Sequence, residues 1–274
     1  MRSWGSSVDN EMSQSRFCYK DNSRLGEALA DWFLSQPGQR VGACERDILR
    51  AMVSDLFGYQ LLQLGELGAD MEHLAHCPVQ RKTLVSHRAA AGQEGVILAE
   101  PQRLPVASDS IDAAILVHTL DFSPDPHQVL REVERVLIAG GRVIVIGFNP
   151  FSLWGLWRLF GRWRGAVPWC GNFLSYPRLN DWLTLMGFGI ERMDVMEFRP
   201  PTRSARLPAV ERLGRRVWPM LAGVYMVRAV KRVSRVTPIP QRWSRLRVLG
   251  PRAIEPTARE TMSKSHSMNE VNDV

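Results

Sequence analysis

AEPQRLPVASDSIDAAILVHTLDFSPDPHQVLREVERVLIAGGRVIVIGF, residues Ala99–Phe148, contains two strand patterns separated by one helix pattern. Ile111–His118 is a short, nearly continuous apolar run, as expected of a strand buried on both faces. Asp125 then suits an N-cap and Pro126 the first helical position, where its missing N–H costs nothing. Val129, Leu130, Val133, Val136 and Leu137 recur at helical spacing, while Arg131, Glu132, Glu134 and Arg135 fall on the other face. Gly140-Gly141 is the expected helix stop. Alternating Val and Ile in Arg142–Phe148 give the second strand. Strand, helix and strand in this order form a unit of a parallel sheet.

The pattern extends in both directions. Upstream, Gln60–Gly65, Thr83–Ser86 and Val96–Ala99 read as three further strands, preceded by helices at Arg24–Leu34 and Glu45–Phe57 with Pro37 and Gly38 between them. Downstream, a helix at Pro177–Met186 stops at Gly187. Strands follow at Gly189–Phe198 and Gly223–Val230, with a helix around Leu207–Val217 between them. The expectation is a mostly parallel, doubly wound sheet of seven strands, with no internal repeat. Residues 1–23 read as a disordered N-terminus, 24–237 as one domain opened by helices over 24–57, and 238–274 as a basic, then polar, disordered tail.

Charge divides the chain unevenly. Residues 1–198 carry 19 Lys and Arg against 23 Asp and Glu, a net of −4, whereas 199–274 carry 16 against 5, a net of +11. Such a tail is either a solvated extension or a surface for nucleic acid, anionic lipid or acidic protein. No groove-reading nucleic-acid motif accompanies it. The four cysteines (Cys18, Cys44, Cys77, Cys170) are scattered without a C-x-x-C pair, which argues against zinc and against a disulfide framework. Met1–Arg24 lacks the apolar core of a secretory signal, and Trp218–Val227 is too short to span a bilayer. A soluble, cytoplasmic protein is expected.

The ordered series Leu104-Pro105, Ile111-Asp112, Asp125-Pro126, Arg131-Glu132, Arg135-Val136-Leu137 and Gly140-Gly141 resembles the class I S-adenosylmethionine-dependent methyltransferase domain of the type 11 kind. Gly147-Phe148-Asn149-Pro150, the Trp-rich segment after it and Asp181-Trp182-Leu183 with Gly187-Phe188 look similar to the YafS-type methyltransferase-like proteins of bacteria. The resemblance covers roughly residues 24–235. It implies a Rossmann-like three-layer α/β/α sandwich, with S-adenosylmethionine lying across the carboxyl ends of the strands.

It also implies where the cofactor contacts should fall. The first strand should run into an acid and a glycine loop, and here that place reads Gln63-Leu64-Gly65-Glu66-Leu67-Gly68. Gly65 matches the first glycine, Gly68 fits only with a shifted register, Leu67 occupies the next glycine position, and Gln63 replaces the acid. The second strand should end in a carboxylate for the ribose hydroxyls, but Ser86, His87 and Arg88 stand there. His87 could donate to a hydroxyl or be an exposed loop histidine. Glu100 matches the acid that accepts from the adenine amino group, with Leu104 and Val117 as apolar walls. Glu66, beside Gly65, completes the cofactor set.

Methyl transfer asks the protein mainly to align the acceptor with the S–CH₃ bond and to exclude water. His118 and Asn149 follow the fourth and fifth strands, where substrate-facing groups lie. His118 also suits a strand-end hydrogen bonder, and Asn149 a turn residue. The segment Phe151–Arg164, within an insertion at 150–174, holds three Trp and three Arg. It reads as a lid over a small or lipophilic acceptor, as plain packing, or as a membrane or base-stacking surface. A rival function is a non-catalytic member of the fold acting as a binding or regulatory subunit. A nicotinamide reductase is disfavoured, because Arg88 could read a 2′-phosphate but no G-x-G-x-x-G is present.

Overall fold

Alternating side chains on the central strands build two cores, one on each face of a single sheet. The computed structural model describes residues 22–67, 71–86, 95–161, 167–198 and 221–232. Its strands are β1 (Gln60–Leu64), β2 (Arg81–Ser86), β3 (Val96–Leu98), β4 (Ile111–Val117), β5 (Leu137–Phe148), β6 (Phe188–Met196) and β7 (Val224–Lys231). They lie in the order β3-β2-β1-β4-β5-β7-β6. Pairings from β3 across to β5 are parallel, and β7 runs antiparallel to both β5 and β6. Chain order reverses between β1 and β4, so the crevice outside their carboxyl ends is the switch point where ligands enter open α/β sheets.

Leu61, Ala113, Ile115, Val117, Ile144, Ile146, Phe148 and Met226 face one core. Leu62, Leu64, Ala114, Leu116, Val143, Val145 and Val227 face the other. This two-residue period fixes which helices cover which face. The first core receives α1 (Asn22–Leu34) and α2 (Gln36–Val53) through Phe33, Val41, Leu49 and Met52, together with Trp154 of α5 (Leu153–Gly161). The second receives α4 (Pro126–Val136) through Val129, Leu130, Val133 and Val136, and α6 (Tyr176–Leu185) through Leu179, Trp182 and Leu183. A single helical turn, α3 (Thr119–Phe122), follows β4.

Two local expectations are corrected. Pro37 and Gly38 do not separate the N-terminal helices: the break is at Ser35, whose hydroxyl caps α2 by accepting from Gly38 N at 3.3 Å, with Pro37 in the first turn. Gly140-Gly141 does not stop α4 either. The helix ends at Val136, Leu137 is already extended and pairs with Ile111, and the register shifts before Ala113 pairs with Arg142. The glycine pair therefore serves a bulge at the entry to β5, with Gly140 at φ 79°. The scattered cysteines are not all thiols, because Cys170 is disulfide-bonded while Cys77 is a free, buried thiol.

Among the described residues, no helix is long and apolar enough to cross a membrane. The expected helix at 207–217, the tail at 238–274 and nearly all of the N-terminal stretch lie outside the described residues. Asn22 and Ser23 already belong to α1.

Candidate functional site at the carboxyl ends of the strands

Gly65 is the fixed point of the site. It leaves β1 at φ 87°, in the left-handed region that glycine tolerates. A Cβ there would stand 2.5 Å from the Val117 carbonyl of β4 and 3.2 Å from Thr119 Oγ1. The Thr119 hydroxyl donates to the Leu64 carbonyl at 2.8 Å, lacing the ends of β1 and β4 together.

Gln63 is buried and turned inward. Its amide N–H donates to the Gly65 carbonyl at 3.0 Å, and its oxygen accepts from His73 Nε2 at 2.8 Å. A neutral amide can both donate and accept, which suits this buried position better than a carboxylate would. Leu67 is packed into the core. Glu66 instead reaches sideways to β2, where its carboxylate accepts from the Ser86 hydroxyl. The end of β2 thus has a carboxylate beside it, supplied by the β1 loop. Ser86 also accepts from Ala99 N at 3.3 Å, which sets the turn after β3 next to this pair. Glu100 follows with an exposed side chain, and its carbonyl closes a turn by accepting from Arg103 N at 2.9 Å. Leu104 and Val117 are both core residues. Gly68 and His87 lie outside the described residues.

The other half of the site is a buried ionic cluster. His118 follows β4 in the left-handed conformation, φ 49°, which only a few non-glycine types, His among them, adopt with any frequency. Its Nε2 donates to Glu45 of α2 at 2.8 Å and its Nδ1 to Asp121 of α3 at 3.1 Å. Two carboxylate partners require both nitrogens to donate, so the ring is an imidazolium. Burial alone would lower its pKa, but Glu45 and Asp121 outweigh that and raise it to about 9. Burial pushes the Asp121 carboxyl up, against the lowering pull of His118. Asp121 also accepts from Phe148 N at 2.9 Å and from Leu174 N at 3.4 Å. His118 stacks on Phe148 at 4.1 Å between centroids, with the rings 21° apart. The cluster therefore ties α2, β4, α3 and β5 together at the strand ends, and both His118 nitrogens are engaged.

Asn149 organises the turn out of β5. Its Nδ2 donates to the Ala222 carbonyl at 3.0 Å, and its Oδ1 accepts from Phe151 N at 3.1 Å. Helix α5 starts beyond it, pinned by the fully buried Trp154, which stacks on Phe148 at 6.0 Å and meets Trp32 edge-on at 5.9 Å. Gly147 and Tyr225 meet behind this wall: a Cβ on Gly147 would stand 2.6 Å from the Tyr225 hydroxyl. That hydroxyl donates to the Leu174 carbonyl at 2.9 Å.

Neither the Glu66–Ser86 nor the Glu45–His118 pair is legible in the sequence. Their partners lie 20 and 73 residues apart on different elements, and no local periodicity links them.

Residues 57–145 match the methyltransferase domain family. The chain is 37% identical over 148 residues to the uncharacterised YafS protein of Escherichia coli K12, covering 54% of this chain and 60% of that protein. It is 27% identical over 134 residues to demethylmenaquinone methyltransferase of Chlamydia pneumoniae, covering 43% and 57%. The chain thus spans about three fifths of the length of these curated relatives. Among solved structures, an S-adenosylmethionine-dependent methyltransferase of Thermotoga maritima superposes with a TM-score of 0.55 at 20% identity, over 77% of this chain and 98% of that one. The sheet order 3-2-1-4-5-7-6 with a reversed seventh strand is the class I methyltransferase fold, and the match to the methyltransferase domain family begins just before β1 and ends within β5.

Proposed function

We propose that the chain is an S-adenosylmethionine-dependent methyltransferase with a small or lipophilic acceptor. The observation that carries this reading is Gly65, a glycine that backbone geometry demands, at the switch point inside the matched methyltransferase segment. Only glycine lets the chain turn this close to the Val117 carbonyl, and a backbone bare of side chain there suits the close approach of the methionine and ribose parts of the cofactor.

Glu66, held by Ser86, would accept from the ribose hydroxyls in place of a carboxylate on β2 itself. Glu100, exposed at the end of β3, would accept from the adenine amino group. Gln63 fixes the carbonyl of the glycine turn, and Leu104 and Val117 back the pocket from the core. The bound cofactor supplies an electrophilic methyl group. The chain's own residues bind it, orient the acceptor against it and exclude water. His118 and Asn149 are positioning residues in this account, since their polar atoms are spent on neighbouring elements.

A lipophilic acceptor is favoured by the aromatic character of the β5 end, where Phe148, Trp154 and Phe173 pack together in the core. The relative named for demethylmenaquinone agrees in kind. Incubation of the purified chain with methyl-tritiated S-adenosylmethionine and a cell lipid extract tests the reading. Label should enter an organic-soluble product, and a glutathione- or peptide-sized aqueous product alone would exclude the lipophilic acceptor. The second reading, a binding subunit that has lost turnover, is favoured by Leu67 packed where a loop glycine would stand. Formation of S-adenosylhomocysteine with any acceptor removes it.

A further inference from the structure

Helix α5 is anchored on one side and bare on the other. Trp154 is fully buried, while Leu153, Leu156 and Trp157 are 42%, 55% and 45% exposed, and Phe151 just before the helix is 66% exposed. Positions 153, 156 and 157 stand three and four residues apart, so they form one stripe along the helix. Water meets three large apolar side chains in a row, an arrangement that marks an interaction site rather than scattered surface residues.

The charge around the stripe identifies the partner. From Phe151 to Asn180 the sequence has no Asp or Glu, but it holds Arg158, Arg162, Arg164 and Arg178. Arg158 keeps its place by lying over the Phe173 ring at 5.0 Å and donating to the Trp169 carbonyl at 3.3 Å. A short helix with an exposed Trp/Leu edge, in a stretch of sequence that carries Arg and no acid, matches the interfacial zone of an anionic bilayer, where Trp sits at headgroup level and Arg meets lipid phosphate.

We propose that the α5 stripe docks the protein on an anionic lipid surface, with Leu153, Leu156 and Trp157 entering the interface. The docking needs no bound cofactor, so it stands or falls separately from methyl transfer.

The test is co-sedimentation of the full chain with phosphatidylcholine vesicles, with and without a fraction of phosphatidylglycerol. Wild type should bind the anionic vesicles, and binding should weaken as salt is raised. The charge-neutral double variant Leu156→Ser/Trp157→Ser should partition on the order of tenfold less, from the apolar area it withdraws. Leu185→Ser, a control on α6, whose packed side joins the opposite core, should bind like wild type; Leu185 is 78% exposed. Circular dichroism checks that the variants are folded. Equal binding by the double variant would mean that other basic residues hold the lipid, and would overturn the proposal. So would the absence of wild-type binding, or a wild-type dimer that the double variant converts to monomer without any effect of vesicles.

Discussion

Glu66, in the loop after β1, sets its carboxylate beside the end of β2, where it accepts from the Ser86 hydroxyl. The position on β2 where a carboxylate is expected holds a hydroxyl, and that hydroxyl holds the carboxylate of Glu66 instead. Glu66→Gln should therefore weaken S-adenosylhomocysteine binding roughly tenfold, the scale of one charged hydrogen bond. Ser86→Ala, which frees Glu66 to wander, should weaken it by less; calorimetric titration reads both. Gly65→Ala should cost at least ~2 kcal/mol of stability, because it forces a side chain into positive φ and against a backbone carbonyl. A denaturation midpoint equal to wild type would contradict the geometry of that turn. His118 makes a pH prediction. Its folded pKa of about 9 stands above an unfolded value near 6.5, so the folded state holds an extra proton. That stabilisation is complete below about pH 6.5 and is lost as pH rises through about 9, a fall on the order of 3 kcal/mol. Urea midpoints measured across this window should decline for wild type and stay nearly level for His118→Gln. A level wild-type profile would refute the imidazolium.

At the scale of elements, α2 is held to the sheet by several buried side chains, whereas α5 is pinned chiefly by the fully buried Trp154. Trp154→Ala should destabilise by about 3–5 kcal/mol, the usual loss for a buried aromatic, and should loosen α5 from Phe148. Hydrogen exchange should then rise in 153–161 before it rises in β5. Elements with strong periodicity were legible before the structure: the alternation of Arg142–Phe148 and the capped stripe of Asp125–Leu137 both became the expected strand and helix. Boundaries were less legible where one residue type serves two geometries. Gly140-Gly141 suits a helix stop and a bulge equally, and the pairing of Leu137 with Ile111, a contact between segments distant in sequence, decided between them. Pro37 suits a separator between helices, but a proline is equally at home in a helix's first turn once Ser35 caps it. The site was half legible. Gly65 and the strand ends followed from local pattern, but the inward turn of Gln63, the sideways reach of Glu66 and the burial of His118 depend on partners from other elements.

For the whole molecule, one face of the sheet is covered by α1, α2 and α5 and the other by α4 and α6, and the strand ends between them hold both the glycine turn and the ionic cluster. Helix α2 is linked to the strand ends by Glu45, so ligand binding there should raise the stability of the entire fold and not of a single lobe. A ligand at a hundred times its Kd adds about 2.7 kcal/mol to a protein that binds it only when folded. The most direct measurement is calorimetric titration of the folded chain with S-adenosylhomocysteine, run beside Glu66→Gln and Glu100→Ala. One-site binding is expected in wild type, weakened in both variants. Folded wild-type protein that takes up no S-adenosylhomocysteine at millimolar concentration would contradict it.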